Sequence, residues 1–376
     1  MDHIHTISQI IEKSLEYQIE LHFLYVDFQK AYDSIDHNSL WESMVRQGGH
    51  SKIIKVIRNL YQRAEAYLRI EKDGQKFKIK RGVKQGCPLS PSLFTCALES
   101  IFRELDWEEN GIKVNGTNIN NLRFADDLIL IARSIKELQK MGEELFKKSA
   151  EIGLQANKIK TKYMSNNPDT QLSIEGTNIE KVEDYSYLGR IVSFSKGMEK
   201  EIAVRKEKAW KSYWALKGVF KGDMAVKEKI KTLESCLLPV LSYGMQTWAL
   251  TNAQVDEVRE TQRAMERSIL NVRRVDRINN KSIRERTQTR DIGYITKKTK
   301  FKYAGHTMRA SNDRLAKIVT EWRPYGFKRR QGRPKIRWRD ELERRVGTFW
   351  HREVYNREKW KRISEAYARQ WSEHLY

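Results

Sequence analysis

The sequence predicts an α+β fold with an antiparallel sheet and packed helices in its N-terminal half, followed by a helical and basic C-terminal half. Up to about residue 195, short runs rich in β-branched and aromatic residues alternate with amphipathic helical patterns. Beyond that point the apolar spacing is mostly helical. The charge changes as well: residues 1–200 contain 29 Lys and Arg against 28 Asp and Glu, whereas residues 201–376 contain 42 against 21.

Length and composition limit the class of protein. The chain has 376 residues, enough for two or three domains, with 39% hydrophobic and 32% charged residues. No run approaches the 18 or so apolar residues of a membrane span, and the N-terminus lacks the pattern of a signal peptide. The three cysteines match no zinc spacing, so we expect reduced thiols in an intracellular compartment. A net charge of +22, concentrated in one half, favours a nucleic-acid partner, and a merely solvated basic surface is the alternative.

The elements of the N-terminal half follow from periodicity and turn residues. Apolar residues at helical spacing begin the chain, and an apolar run ending in an aspartate predicts a buried strand. Asp73-Gly74 is a hairpin signal. The predicted order is helix 4–18, strand 21–28, helices 37–49 and 51–64, hairpin 66–82, helix 90–105, strand–turn–strand 122–132, helix 134–153, and short strands near 160–164 and 186–194.

Two adjacent aspartates, Asp126 and Asp127, interrupt the apolar run "FADDLILIA". A third, Asp27, ends the apolar strand "LHFLYVD" about a hundred residues earlier. If these strands are neighbours, the carboxylates converge and repel one another unless cations lie between them. Oxygen ligands of this kind suit Mg²⁺, and two such ions are the usual device for in-line phosphoryl transfer. The alternative for an isolated Asp-Asp pair is an exposed turn.

Five segments in order resemble motifs A to E of a reverse transcriptase. They are "VDFQKAYDSIDH" (26–37), "GVKQGCPLSPSLF" (82–94), "FADDLILIA" (124–132), "GLQANKIKTKYM" (153–164) and "YLG" (187–189). The nearest resemblance is to the polymerases of non-LTR retrotransposons of the long interspersed element group. Near the C-terminus, "GRPKIRWRDEL" (332–342) is similar to a tail of RTE-type elements. The resemblance implies a right-hand polymerase palm with largely missing fingers, then a helical thumb and a basic helical region.

The resemblance assigns roles to residues of motifs A and B. It implies that Asp27 binds both metals and that the backbone carbonyl of Phe28 assists. Tyr32 stands where the family places an aromatic ring against the sugar C2′, which selects deoxynucleotides. Gln85 would hydrogen-bond near the incoming nucleotide and template, and Gly86 would let the backbone approach a base or sugar. Asp36 is expected to cap the next helix instead.

Motifs C to E supply the remaining roles that the resemblance implies. Asp126 is the second metal ligand, and Asp127 is the supporting carboxylate. In motif D, Lys160 or Lys162 would donate a proton to the departing pyrophosphate or neutralise its charge, with solvated lysines as the alternative. In motif E, the primer grip would be formed by Tyr187, Leu188 and Gly189.

The implied domains are a palm with partial fingers at 1–195, a thumb at 196–250 and a basic nucleic-acid-binding region at 251–376. The implied function is RNA-directed DNA synthesis with two Mg²⁺ ions, Mn²⁺ as a substitute, deoxynucleoside triphosphates, an RNA template and a DNA primer or target.

No membrane partner is expected. The family would act in the nucleus after a cytoplasmic ribonucleoprotein stage. The finger strands for the triphosphate would precede residue 1, so we expect a truncated copy with weak activity or none. The alternative is an inactive remnant that only binds nucleic acid through its basic half.

The most basic stretch, "KRRQGRPKIRWRDELERR" (328–345), predicts contacts with phosphates. The predicted nucleic-acid-binding residues are Arg329, Arg330, Arg333, Lys335, Arg337 and Arg339. Eight tryptophans are spread through the second half, and some could stack on bases. For Trp210 and Trp214 the helical spacing favours packing in a core.

Overall fold

The computed structural model describes residues 1–69 and 74–373. The strands of this part are β1 (His22–Val26), β2 (Glu65–Ala66), β3 (Phe77–Lys78), β4 (Ile112–Val114), β5 (Thr117–Ile119), β6 (Asn121–Phe124), β7 (Asp127–Ala132), β8 (Lys162–Ser165), β9 (Leu172–Ile174), β10 (Thr177–Lys181), β11 (Asp184–Tyr187) and β12 (Arg190–Ser193). The tip of the predicted hairpin, residues 70–73, lies outside the described residues, whereas its two strands pair as β2 and β3.

The α-helices of the described residues are α1 (Asp2–Glu16), α2 (Ala31–Ser34), α3 (His37–Arg46), α4 (Ser51–Gln62), α5 (Ser90–Glu104), α6 (Ile135–Glu151), α7 (Gly197–Ala215), α8 (Lys217–Lys221), α9 (Val226–Thr232), α10 (Leu238–Leu241), α11 (Asn252–Ile269), α12 (Asn280–Thr287), α13 (Ile292–Arg309), α14 (Leu315–Glu321), α15 (Asp340–Val346), α16 (Trp350–Glu353) and α17 (Arg357–Glu373). A π-helical turn, Leu233–Leu237, joins α9 to α10. Within the described part of the chain, no helix is long and apolar enough to cross a membrane.

The chain divides into two compact units. The sheet unit is Ile19–Glu183, and the helical unit combines Met1–Gln18 with Asp184–Tyr376. This division differs from the predicted boundaries at 195 and 250, because α1 packs on α14 and the β11–β12 hairpin packs on α7, which places both in the helical unit. The charge follows the units: the helical unit contains 46 Lys and Arg against 26 Asp and Glu, and the sheet unit 25 against 23.

The sheet unit is built on six strands in the order β6-β7-β1-β8-β10-β9. All five residues of β1 are buried, as its apolar sequence predicts for a central strand. The expectation of an antiparallel sheet needs one correction, because β10 pairs parallel with β8. Helix α6 approaches the sheet closely at Gly142, where a Cβ would lie 2.6 Å from Ile174 Cδ1. The predicted α+β architecture is confirmed at this level.

Helix α1 is fixed in the helical unit through polar groups that are fully buried. His5 has no exposed surface, its Nε2 lies 2.8 Å from Thr320 Oγ1, and its ring meets Trp338 edge-on at 4.6 Å. Burial, and then the positive charges of Lys13, Arg190 and Lys300, lower the pKa of His5 from 6.5 to about 3. The imidazole is therefore neutral in the folded protein near neutral pH.

We therefore expect the stability that His5 contributes to the helical unit to fall on acidification. The folded-state pKa of His5 lies below its ordinary value, so its contribution is present above about pH 6.5 and is lost as the pH falls towards 3. The loss should reach a few kcal/mol, because each tenfold difference in proton affinity between the folded and unfolded protein corresponds to about 1.4 kcal/mol. Urea denaturation of wild type and His5→Gln at several pH values measures it. An equally steep fall in the free energy of unfolding of the variant would contradict the assignment.

Candidate active site

The three predicted aspartates lie at one end of two paired strands. β1 and β7 are antiparallel, with Val26 opposite Leu128, so Asp27 extends β1 where β7 begins at Asp127. β6 and β7 form a hairpin in which Phe124 pairs with Asp127, leaving Ala125 and Asp126 as a two-residue turn. The interior of β7 is buried, whereas Asp126 and Asp127 are exposed. The acidic pair therefore lies at the edge of the apolar core and not within it.

The backbone of this turn is strained. Ala125 adopts φ 53°, in the left-handed region that side chains with a Cβ occupy at a cost. Strain of this kind persists where the surrounding structure enforces it, and it occurs often at functional sites. Here the paired strands on both sides enforce it, and the result is that Asp126 occupies the tip of the hairpin.

The electrostatics show that the carboxylates affect one another. Partial burial raises the pKa of Asp127, and the negative charges of Asp126 and Asp27 raise it further. Burial also raises the pKa of Tyr32, with a second contribution from Asp126. These directions agree with the strand pairing, which places the three carboxylates at one end of the sheet.

Among residues 1–69 and 74–373, no group of three His, Cys, Asp or Glu side chains is arranged to hold a metal by itself. That finding does not conflict with magnesium chemistry, because Mg²⁺ is commonly held by one or two carboxylates together with water and substrate phosphates. Three mutually repelling carboxylates, with Asp127 harder to ionise than usual, are the donor set that a divalent cation would relieve. The residues therefore fit divalent metal ions that bind with the substrate.

The loop after α6 holds Asp27 in place, which sequence reasoning missed. Asn157 N–H donates to the carbonyl of Asp27 at 2.7 Å, and the Asp27 N–H donates to Thr161 Oγ1 at 3.3 Å. Phe28 is buried and forms a β-bridge with Ala156. Its carbonyl accepts neither of the two hydrogen bonds that hold Asp27. Asn157 and Thr161 both lie in the segment "ANKIKT". No sequence pattern marks a hydroxyl group that binds the backbone of a residue far away in the sequence.

Tyr32 lies on α2 and stacks on Phe94 of α5, with ring centroids 4.7 Å apart and planes at 14°. The ring is half-buried and packs on the core, and it also lies within the influence of Asp126. Tyr32 therefore packs as a core aromatic, and its contact with the sugar stays a prediction. Asp36 caps α3 by accepting from the backbone of Asn38 and Ser39, which confirms that prediction.

The motif B loop is tied to the turn that contains Tyr32. Val83 N–H donates to the Tyr32 carbonyl at 2.6 Å. Gly82 has φ 84°, and a Cβ there would lie 2.7 Å from backbone atoms of Asp33, so only glycine allows this approach. Gln85 Nε2 donates to Asp33 at 3.2 Å. Gly86 is exposed with φ 80° and open space around it, so its backbone is accessible from solvent.

The two motif D lysines differ. Lys162 Nζ donates to the Ile159 carbonyl and pairs with Glu180 at 2.5 Å. Lys160 is exposed, and its backbone N–H closes a turn with Asn157. Of the two, Lys160 is therefore the better candidate for contact with a substrate, whereas Lys162 belongs to β8, an interior strand of the sheet, and is already paired.

The predicted primer grip is the tip of the β11–β12 hairpin in the helical unit. Tyr187 pairs with Arg190 across Leu188 and Gly189, which have φ 48° and 74°. Positive φ at both central residues is the pattern of a type I′ turn. Tyr243 Oη donates to the Leu188 carbonyl at 2.8 Å, and the Arg205 guanidinium donates to the Gly189 carbonyl. The tip is thus a rigid feature, whatever binds it.

The basic stretch is extended and exposed from Lys328 to Ile336. Three of its six predicted contact residues are already paired, and two of these share Glu16, with Arg329 at 2.8 Å and Arg337 at 3.4 Å. Arg339 lies 3.5 Å from Glu343. Through their side chains, Arg330, Arg333 and Lys335 make no ion pair or hydrogen bond within the described residues.

Most tryptophans of the second half are core residues. Five are at most 4% exposed, namely Trp248, Trp322, Trp338, Trp350 and Trp360. The expectation of packing for Trp214 is wrong, because 53% of it is exposed, although its ring contacts Trp210 at 6.3 Å and Tyr213 at 5.3 Å. Helical spacing placed both on α7, but that helix is covered over only part of its circumference.

Comparison with known proteins agrees with the sequence motifs. The family described as reverse transcriptase (RNA-dependent DNA polymerase) matches residues 1–192. A transposon-derived protein from Caenorhabditis elegans is 33% identical over 247 residues, which cover 63% of this chain and 88% of that protein. The Pol polyprotein of a type-1 R2 retrotransposable element from Nasonia vitripennis is 29% identical over 184 residues, covering 45% of this chain.

The chain spans 18% of that R2 polyprotein. Among solved structures, apo telomerase from Candida tropicalis is similar to 84% of this chain and half of its own length, with a TM-score of 0.44 and 16% identity.

Proposed function

This chain belongs to the reverse transcriptase (RNA-dependent DNA polymerase) family, and from that premise we propose that it extends a DNA primer on an RNA template as part of a non-LTR retrotransposon. The observation that supports this most directly is the pairing of β1 with β7. It brings Asp27 and the Asp126–Asp127 turn to one end of the sheet, and the negative charge of Asp126 contributes to the raised pKa of Tyr32.

Asp27 and Asp126 would hold two divalent metal ions, Mg²⁺ or Mn²⁺, with Asp127 supplying further negative charge. Bound there together with the substrate, such ions supply a lowered pKa for the attacking hydroxyl and charge stabilisation at the leaving oxygen. The backbone bonds from Asn157 and to Thr161 fix the end of β1, so that the Asp27 carboxylate is positioned before substrate arrives.

Other residues would position the nucleotide. Tyr32, held by its stacking on Phe94, would place its ring against the sugar and exclude a 2′-hydroxyl. The accessible backbone at Gly86 and the Gln85 amide would contact the nucleotide or template, and the Phe28 carbonyl would assist at the metals. Lys160, as an exposed cation, would neutralise the departing pyrophosphate or protonate it.

A second candidate function is nucleic-acid binding without catalysis. One observation favours it: the helical unit is strongly basic and contains 46 Lys and Arg but only 26 Asp and Glu. Cationic surfaces of this strength bind phosphate backbones by releasing counterions. The two candidates share their partner and differ only in whether the sheet unit performs chemistry.

Primer extension separates these candidates. The purified chain is incubated with an oligo(dT) primer on a poly(rA) template, thymidine triphosphate and Mg²⁺ or Mn²⁺, and parallel gel shifts measure binding. The polymerase proposal expects extension that EDTA abolishes. Binding without any extension under either metal would favour the binding protein instead.

Replacing Tyr32 with alanine is expected to leave extension measurable while raising the ratio of ribonucleotide to deoxyribonucleotide incorporation, on the order of tenfold, because it removes the ring that would clash with the 2′-hydroxyl. Single-nucleotide insertion with matched ribo- and deoxyribonucleoside triphosphates measures this ratio. Tyr32→Phe keeps the ring and its stacking on Phe94, so it serves as the control and should select sugars as the wild type does. An unchanged ratio in the alanine variant would remove Tyr32 from the nucleotide site.

A further inference from the structure

A cavity of about 740 Å³ lies within the helical unit, and every residue that lines it belongs to that unit. One wall is α1, a second is β12 with the segment that leads into α7, and a third is the extended basic segment Arg329–Arg337. The volume falls in the range of sites that bind small molecules or single monomer units of a polymer, roughly 300–1,000 Å³.

The α1 wall contains polar groups with unused hydrogen-bonding capacity. Gln9 lines the cavity and is 1% exposed, and its Nε2 has no hydrogen-bond partner among the residues that the structure describes. Glu12 lies one turn further along the same face and accepts from the Trp338 N–H at 2.8 Å. A buried amide donor without a partner costs free energy. A ligand that accepts a hydrogen bond from it removes this cost, which favours binding.

The basic wall is fixed to α1 and still has unpaired charge. Arg330 N–H donates to the Glu16 carbonyl at 2.9 Å, and the Glu16 carboxylate pairs with Arg329 at 2.8 Å. These contacts hold the segment against α1 as a wall of the cavity. The side chains of Arg330, Arg333 and Lys335 line the same cavity, are exposed, and make no ion pair among the described residues.

We propose that this cavity binds one unpaired nucleotide of a nucleic-acid strand, with its base against Gln9 and Glu12 and its flanking phosphates on Arg330, Arg333 and Lys335. The three cations match phosphates, and amide and carboxyl groups are suited to the edge of a base. Phe194 and aliphatic residues of α1 also line the cavity and suit the face of a base.

The alternatives fit less well. A base stacked within a duplex cannot reach a side chain that is 1% exposed, so the nucleotide must be unpaired or turned out of its stack. An acidic peptide would bring carboxylates towards Glu12 and Glu16, which line the same cavity. The inference rests on the proposed function only in taking a nucleic acid as the partner.

The test measures binding of fluorescein-labelled 12-residue oligonucleotides to the full chain by anisotropy, in EDTA and without nucleoside triphosphates. Homopolymers of DNA and RNA, a DNA strand with consecutive abasic sites, and a blunt duplex are compared. We expect the single strands to bind with a base preference and the abasic strand to bind about tenfold more weakly, the scale of one lost base contact. Because no synthesis is needed, an inactive polymerase leaves this test unaffected.

Gln9→Leu keeps the size of the side chain, removes the donor and should reduce the base preference without changing the salt dependence. Arg333→Gln should keep the base preference and weaken the salt dependence. For a single strand, the slope of log affinity against log salt should become shallower by about 0.7. Arg286→Gln, an exposed arginine of α12, is the control for general charge and should retain the base preference. If Gln9→Leu does not fold, Gln9→Glu tests the same contact by adding a negative charge that should weaken binding.

Equal binding of abasic and intact strands would overturn the proposal, as would a base preference that survives both Gln9 variants. Tighter binding of the duplex than of any single strand would show that the cations only track a phosphate backbone. Displacement of the oligonucleotide by poly-glutamate of equal charge, at equal concentration, would assign the cavity to an acidic peptide.

Discussion

Asn in place of Asp126 is expected to reduce primer extension by on the order of 10³-fold or more, while leaving the protein folded. The substitution keeps the size of the side chain and removes the charge that would hold a divalent ion. Asp126 is exposed at the hairpin tip, so its loss costs little packing. Removing a negative charge should also relieve the repulsion that raises the pKa of Asp127. Thermal stability in EDTA should therefore be unchanged or slightly higher.

Steady-state extension on an RNA template, measured beside melting in EDTA and in Mn²⁺, separates a lost metal from a lost fold. Asp106→Asn is the matched control, because it makes the same chemical change at an exposed position of the sheet unit that makes no ion pair among the described residues. It should keep wild-type extension. Full activity in Asp126→Asn, or an equal loss in Asp106→Asn, would refute the assignment of the metal site.

Much of the active-site geometry could be predicted because it depends on strands. The runs before Asp27 and after Asp127 are apolar on both faces, which is the pattern of central strands, and two central strands that end in carboxylates bring those carboxylates together. The structure pairs them with Val26 opposite Leu128. The resemblance then supplied roles, such as that of Tyr32, which no pattern of periodicity could have assigned.

Other features could not be predicted because they join residues that are distant in sequence and have no shared pattern. The hydrogen bond from the Asp27 N–H to Thr161 is one case, and the pairing of Glu16 with Arg329 is another. One missed feature did have a local signal: Asn115-Gly116 forms the turn of the β4–β5 hairpin with positive φ at both residues, and Asn-Gly is a strong hairpin sequence.

Not every Lys and Arg side chain of the helical unit is available to bind a nucleic acid. Asp291, with no exposed side chain, receives three arginines: Arg259 at 3.0 Å, Arg263 at 2.5 Å and Arg284 at 2.8 Å. It also caps α13 by accepting from the Gly293 N–H at 2.7 Å. Part of the basic excess of the sequence is therefore buried and structural, and does not face a nucleic acid.

This cluster predicts the largest effect on stability. Asp291→Asn keeps the size of the side chain and an oxygen for the cap, but it leaves buried guanidinium groups without their shared counter-charge. Removing one partner of a buried ionic network costs about 3–5 kcal/mol, because the remaining charges lose their compensation while staying desolvated. We expect a loss of that size in the free energy of unfolding, measured by urea denaturation at pH 7 with a probe in the helical unit.

Asp256→Asn is the matched control, since Asp256 pairs with the same Arg259 at 3.0 Å but is 57% exposed. An exposed pair contributes at most about 1 kcal/mol, because water screens it and hydrates both partners when it breaks. The two variants thus remove the same charge from the same arginine and differ in burial. Equal losses in the two would mean that burial does not set the strength of this network, and that the arginines of α11 reach water when Asp291 no longer holds them.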